Sequence, residues 1–165
     1  VNKLIFTRES LPSKLGYNDT LVIVDEIGTM PIKGKCSTWP NPFRASNGTP
    51  YYAAYGAIDL GEYRGRCVVN DDFGKCILIN NGDPIPAVWP NKNHEWKPII
   101  DGVFAHEGGL KSVETGWRGS AGCLTIEQPL YGVLMDMFRV LEECIIIVRG
   151  KRYELGLINK GVEYA

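Results

Sequence analysis

The chain has 165 residues and a formal net charge of −1, with 18 Lys and Arg set against 19 Asp and Glu. That length fills one sizeable core and leaves little for a second, and the balanced charge lacks the basic footprint that holds DNA or RNA. No apolar run reaches the roughly 20 residues of a spanning helix, so the expectation is a single domain over 1–165 with no nucleic-acid partner and no membrane span.

Nineteen glycines and ten prolines break the chain often, which favours short strands and turns over long helices. The sequence opens on Val1 with no charged-then-apolar leader in view, so a signal peptide is expected to be absent or already removed. Residues 21–37, LVIVDEIGTMPIKGKCS, read as two extended runs around a turn near Glu26, Ile27 and Gly28. Pro40, Pro42, Pro50 and the Asn47-Gly48 pair then mark loop. Residues 56–71 alternate well enough for a strand that starts near Gly61, and 75–80, KCILIN, form a second. A Pro- and Asn-rich excursion over 81–101 carries Trp89, His94 and Trp96. A short strand over 102–107, GVFAHE, ends on His106.

One amphipathic helix is expected over about 129–144. Leu130, Val133, Leu134, Met137, Phe138 and Leu141 recur at the spacing of one buried face, and Pro129 suits a helical start. The following CIIIVRGKRYELGLI reads as a closing hairpin turning at Gly150. The fold class is therefore mainly β with one packed helix. Five cysteines at 36, 67, 76, 123 and 144 contain no C-x-x-C pair, and at least one lacks an intramolecular partner. Those other than Cys123 read as small buried hydrophobes. Tyr131, Trp89 and Trp96 are weighted toward core over cleft, and His94 toward an exposed loop histidine.

The stretch HEGGLKSVETGWRGSAGC, 106–123, holds one of only two histidines and ends on Cys123. A cysteine attacks carbonyls as its thiolate, which at an unperturbed pKa of about 8.5 is a few per cent of the thiol at neutral pH. His106 is the natural base, and an adjacent imidazolium would lower the Cys123 pKa, leaving a solvent-reachable thiol. In the turn Ser120-Ala121-Gly122-Cys123, the glycine permits backbone angles that aim successive N–H groups at one point, as an oxyanion hole requires. Against this stand a packed thiol beside an ordinary hydrogen-bonded histidine, and a zinc site built from His106, Cys123 and His94. The zinc site has no closely spaced ligand pair to anchor it.

His106, thirteen intervening residues and then SAGCLTI from Ser120 resemble the L,D-transpeptidase (YkuD-like) catalytic domain, whose signature is a histidine followed by Ser/Thr-His-Gly-Cys. The hairpin over 21–37, GAIDLGEYRGR and GVFAHEGG are similar to further parts of that domain, over about residues 20–148. Ala121 stands where the family has a second histidine, and Thr125 where it has Arg or Asn. The chain thus resembles a divergent member, phage-borne or a secreted effector.

The resemblance implies packed, mostly antiparallel sheets with one helix, no metal, no cofactor, and peptidoglycan stem peptides as substrate. Cys123 would form a thioester, His106 would take its proton, and the Gly122 and Cys123 amides would hold the oxyanion. An amine would resolve the thioester to a crosslink or an exchanged D-amino acid, and water to L,D-carboxypeptidase cleavage. Ser120 either orients His106 or caps the turn. Gly108 and Gly109 open the cleft or merely turn the chain. Trp117 and Arg118 bind a stem-peptide carboxylate or sit as packing and surface charge, and Ala121 alters substrate handling. The setting implied is periplasmic or extracellular, reached by export, injection or lysis. The alternative is a non-catalytic peptidoglycan-binding module on the same fold.

Overall fold

Leu4 and Phe6, Leu21 and Ile23, and Ile146 and Val148 each repeat with the period of two that lets a strand bury one face. All six are at most 2% exposed in the structure, a computed structural model that describes residues 2–9, 17–27, 31–39, 57–86, 99–108 and 123–150, with backbone alone at 99 and 100. The strands are β1 (Asn2–Arg8), β2 (Asp19–Val24), β3 (Ile32–Ser37), β4 (Gly61–Asn70), β5 (Gly74–Ile79), β6 (Ile85–Pro86), β7 (Ile99–Ile100), β8 (Phe104–Glu107), β9 (Leu124–Ile126) and β10 (Glu143–Gly150). Eight of them close a barrel in the order β1-β10-β4-β5-β8-β9-β3-β2.

Two pairings in the barrel are parallel, β1 with β10 and β8 with β9. The others are antiparallel. Paired residues share a face of the sheet, and residues two apart along a strand return to it. Ile77, Ala105 and Leu124 thus line up across β5, β8 and β9 and point into the core. The neighbouring positions His106 and Thr125 point out of the barrel.

The helix α1 (Leu130–Met137) links the end of β9 to the start of β10 and lies across that end of the barrel. Leu130, Tyr131, Leu134 and Met135 are its buried residues. An ideal Cβ on Gly34 would stand 2.6 Å from Leu130 Cδ2, so β3 and α1 meet closely at this glycine. The Lys75 ammonium donates to the Met135 and Phe138 carbonyls, supplying the cation that a helix C-terminus favours. The Tyr131 hydroxyl donates to the Lys75 carbonyl.

At the other end of the barrel the guanidinium of Arg8, 2% exposed, donates to Thr38 Oγ1 at 2.8 Å and to the carbonyls of Thr38 and Ile58 at 3.1 and 2.7 Å. It also lies 4.2 Å from the ring centroid of Trp39. Asp19 accepts from the Thr38 amide and hydroxyl and from the Glu9 amide, so this buried network joins β1, β2 and the end of β3.

The mainly β reading, the hairpin β2–β3, the two strands β4 and β5, the strand ending near His106 and the buried cysteines are borne out. Two expectations are corrected. The helix ends at Met137, eight residues long, because Phe138 is already extended and Leu141 takes a positive φ of 74°. Val133 and Leu141 from the expected stripe are 40% and 65% exposed, and Cys144 belongs to β10. The expected packed antiparallel sheets are instead one closed barrel. The partner strand of the expected closing hairpin lies outside the described residues, whereas β10 itself pairs with β1 and β4. The excursion over 81–101 is pinched at its base by the antiparallel pair β6–β7.

Candidate functional site

His106 and Cys123 come from neighbouring parallel strands. His106 is opposite Thr125 in register, and Cys123 stands one residue before β9. The Phe104 amide nitrogen lies 3.4 Å from Cys123 Sγ and donates to it. The sulfur is therefore pinned against β8 two residues before His106, about 7 Å along the strand.

The imidazole is 2% exposed. Its Nδ1 lies 2.8 Å from the Glu107 carbonyl oxygen. A carbonyl only accepts, so this bond places the proton on Nδ1 and leaves Nε2 with a bare lone pair. Nε2 is buried and has no hydrogen-bond partner. The Cys123 thiol consequently does not bond to the imidazole in this state. Catalytic contacts of this kind commonly tighten only when substrate is bound, or run through one water.

Burial lowers the His106 pKa, and the Glu107 carbonyl and the Glu107 carboxylate oppose that with smaller effects. Burial likewise raises the Cys123 pKa, with the Phe104 amide opposing. The expectation of a lowered thiol pKa is corrected: desolvation of the thiolate is the largest cause of the shift, and it raises the pKa. The resting pair is neutral thiol and neutral imidazole. That arrangement suits general-base deprotonation during attack, in place of a preformed ion pair. The four remaining thiols are sealed more thoroughly, with Cys76 pushed up to about 11 and Cys144 to about 12, in both cases mainly by burial.

Sequence reading missed Phe73. It follows Asp71 and Asp72 in the turn between β4 and β5, and its ring folds back onto the outer face of β8. There it stacks on His106, with centroids 3.9 Å apart and planes within 5°, and meets Phe104 edge-on at 5.5 Å. A depression of about 270 Å³ lined by Asp72, Phe73, Glu107 and Gly108 opens beside this stack. Gly108 donates its amide to the Ile126 carbonyl, and the Tyr17 hydroxyl fills the space a Cβ there would need.

Thr125 was noted in the sequence only as a departure from the family pattern. It is 0% exposed, and its Oγ1, like His106 Nε2, has no hydrogen-bond partner. Of the residues singled out from the sequence, His106, Cys123 and Gly108 are drawn together around β8 and β9. Ser120, Gly122, Ala121, Gly109, Trp117 and Arg118 lie outside the described residues, as do His94, Trp89 and Trp96. Tyr131 is a core residue. No family model, curated protein or solved structure matches the chain.

Proposed function

We propose that the chain is a divergent L,D-transpeptidase-like cysteine acyl-transferase acting on peptidoglycan stem peptides outside the cytoplasmic membrane. The observation that carries this reading is the bare, buried Nε2 of His106 on the strand against which Cys123 Sγ is held. The resemblance of His106 and SAGC to the family signature supplies the substrate class.

On this reading Cys123 attacks the carbonyl that precedes a terminal D-amino acid. His106 Nε2 takes the thiol proton as the C–S bond forms and returns it to the departing amine as the peptide bond breaks. The Glu107 carbonyl holds the ring in the required tautomer throughout and stabilises the transient imidazolium. The Gly122 and Cys123 amides hold the oxyanion, a contribution of about 3 kcal/mol per donor in enzymes of this type. An amine or water then resolves the thioester.

Incubation with a purified disaccharide tetrapeptide ending in a D-amino acid tests the reading. Intact mass should show an adduct on Cys123, with release of the terminal residue, and Cys123→Ala should lose both. New dimers identify transfer, and shortened monomers identify hydrolysis. Absence of adduct and product together would remove the enzymatic reading. One observation, the burial-raised Cys123 thiol, favours a second reading as a non-catalytic peptidoglycan-binding module. Sacculus binding undiminished in Cys123→Ala, with no turnover in the wild type, would select it.

A further inference from the structure

Among the described residues, two buried side-chain polar atoms lack a hydrogen-bond partner, His106 Nε2 and Thr125 Oγ1. They belong to residues directly opposite one another in the parallel β8–β9 register. An unpartnered buried hydroxyl or imidazole nitrogen costs about 1–3 kcal/mol. Two of them side by side therefore mark a place where one further polar group is to be received. Paired positions on adjacent strands face the same side, so both side chains lie on the outer face of the barrel, on the strand pair where Cys123 Sγ is held by the Phe104 amide two residues before His106. The Phe73 ring covers one face of the imidazole.

We propose that Thr125 Oγ1 and His106 Nε2 together hold the water that resolves the Cys123 thioester, making this enzyme a hydrolase in preference to a crosslinker. This rests on the acyl-transfer reading above. The chemistry balances with the groups present. The Thr125 hydroxyl donates to the water oxygen and the water donates one hydrogen to Nε2, leaving an oxygen lone pair for attack. As the new C–O bond forms at the thioester carbonyl, the proton passes to Nε2. As the C–S bond breaks, His106 returns that proton to the departing Cys123 sulfur, yielding a carboxylic acid and the original thiol. A neutral amine has a single lone pair, which accepting from the Thr125 hydroxyl would occupy, whereas a water oxygen has two and keeps one free for attack, so this pair of groups favours water.

Two measurements test the proposal. In a crystal structure of the wild-type protein that resolves ordered solvent, one oxygen should lie within about 3.2 Å of both Thr125 Oγ1 and His106 Nε2. Its loss in Thr125→Val and retention in Thr125→Ser are expected, and no shared oxygen in the wild type overturns the proposal. In single-turnover experiments with the tetrapeptide donor, Thr125→Val should form the Cys123 adduct at close to the wild-type rate. Its release by water should be slower by about tenfold or more, and Thr125→Ser should restore it. Release by water at the wild-type rate in Thr125→Val, or dimers dominating wild-type products, overturns the proposal while leaving the acyl-transfer reading intact. No adduct in the wild type sinks the acyl-transfer reading and the hydrolytic role with it, and the crystallographic result still decides whether the two atoms share a ligand.

Discussion

The ring of Phe73 lies flat on the imidazole of His106, with centroids 3.9 Å apart and planes 5° from parallel. A strand-connecting turn thereby covers one face of the only histidine among the described residues. Phe73 is itself 38% exposed, so its truncation would open the imidazole to solvent.

Phe73→Ala should raise the His106 pKa toward the unperturbed value of about 6.5, because burial is the main cause of its depression. Imidazole resonances followed by NMR against pH would report the change. An unchanged midpoint would show that other groups keep the ring dry. Phe73→Tyr retains the stacking surface and should retain the wild-type midpoint.

The same depression makes folding pH-dependent. A histidine whose folded pKa lies below its unfolded value binds more protons in the unfolded chain, so stability rises with pH through this window. The His106 contribution is complete above about pH 6.5 and is lost as pH falls toward the lowered folded value. Urea midpoints at pH 7.5 and 5 should differ less in His106→Gln than in the wild type. An equal or larger difference would assign the acid sensitivity to other groups.

Cys123 should alkylate slowly. Its raised pKa holds the thiolate below the few per cent of an ordinary cysteine at pH 7. Peptide mapping after brief iodoacetamide treatment should show Cys123 reacting more slowly than in the urea-unfolded chain, with the rate still climbing above pH 9. Faster labelling than in the unfolded chain at neutral pH would indicate a cationic partner for the sulfur.

Gly34→Ala should cost about 1–3 kcal/mol, since the three nearest atoms to its added carbon all belong to Leu130, the closest at 2.6 Å. In Leu130→Ala, itself destabilised by about 2–5 kcal/mol, the glycine replacement should add little further. Denaturation of the two single variants and the double variant would reveal this non-additivity, and additive losses would refute the contact as the cause.

Much of this fold was legible because alternation declares a half-buried strand: Leu21 and Ile23, Cys67 and Gly65, and Ile146 and Val148 all bury as their period requires. β1 escaped notice although Leu4 and Phe6 alternate in the same way. Its third inward residue is Arg8, a charge whose burial makes sense only once Thr38, Ile58 and Trp39 from distant segments surround it. The helix was read too long because Leu141 continues the periodicity, whereas its positive φ and the strand pairing of Glu143 with Arg66 interrupt the helix.

Within the candidate site, His106 and Cys123 were legible as chemistry-bearing types at a suggestive spacing. Phe73 and Thr125 were not. Their roles depend on a turn folding back over β8 and on a parallel register, and no short-range pattern encodes either. The thiol's pKa was misjudged for a related reason. Residue types suggest a cationic neighbour, while the direction of the shift is set by desolvation.

The parallel seam between β1 and β10 also governs how the barrel is assembled. Thr7 and Arg149, joined across it by a hydrogen bond, are 142 residues apart, so the seam demands one of the longest loop closures available to this chain. During synthesis β1 and β2 must wait, one flank unpaired, until β10 has cleared the ribosome. A nascent chain stalled before residue 143 would therefore expose an apolar edge to chaperones and to neighbouring chains.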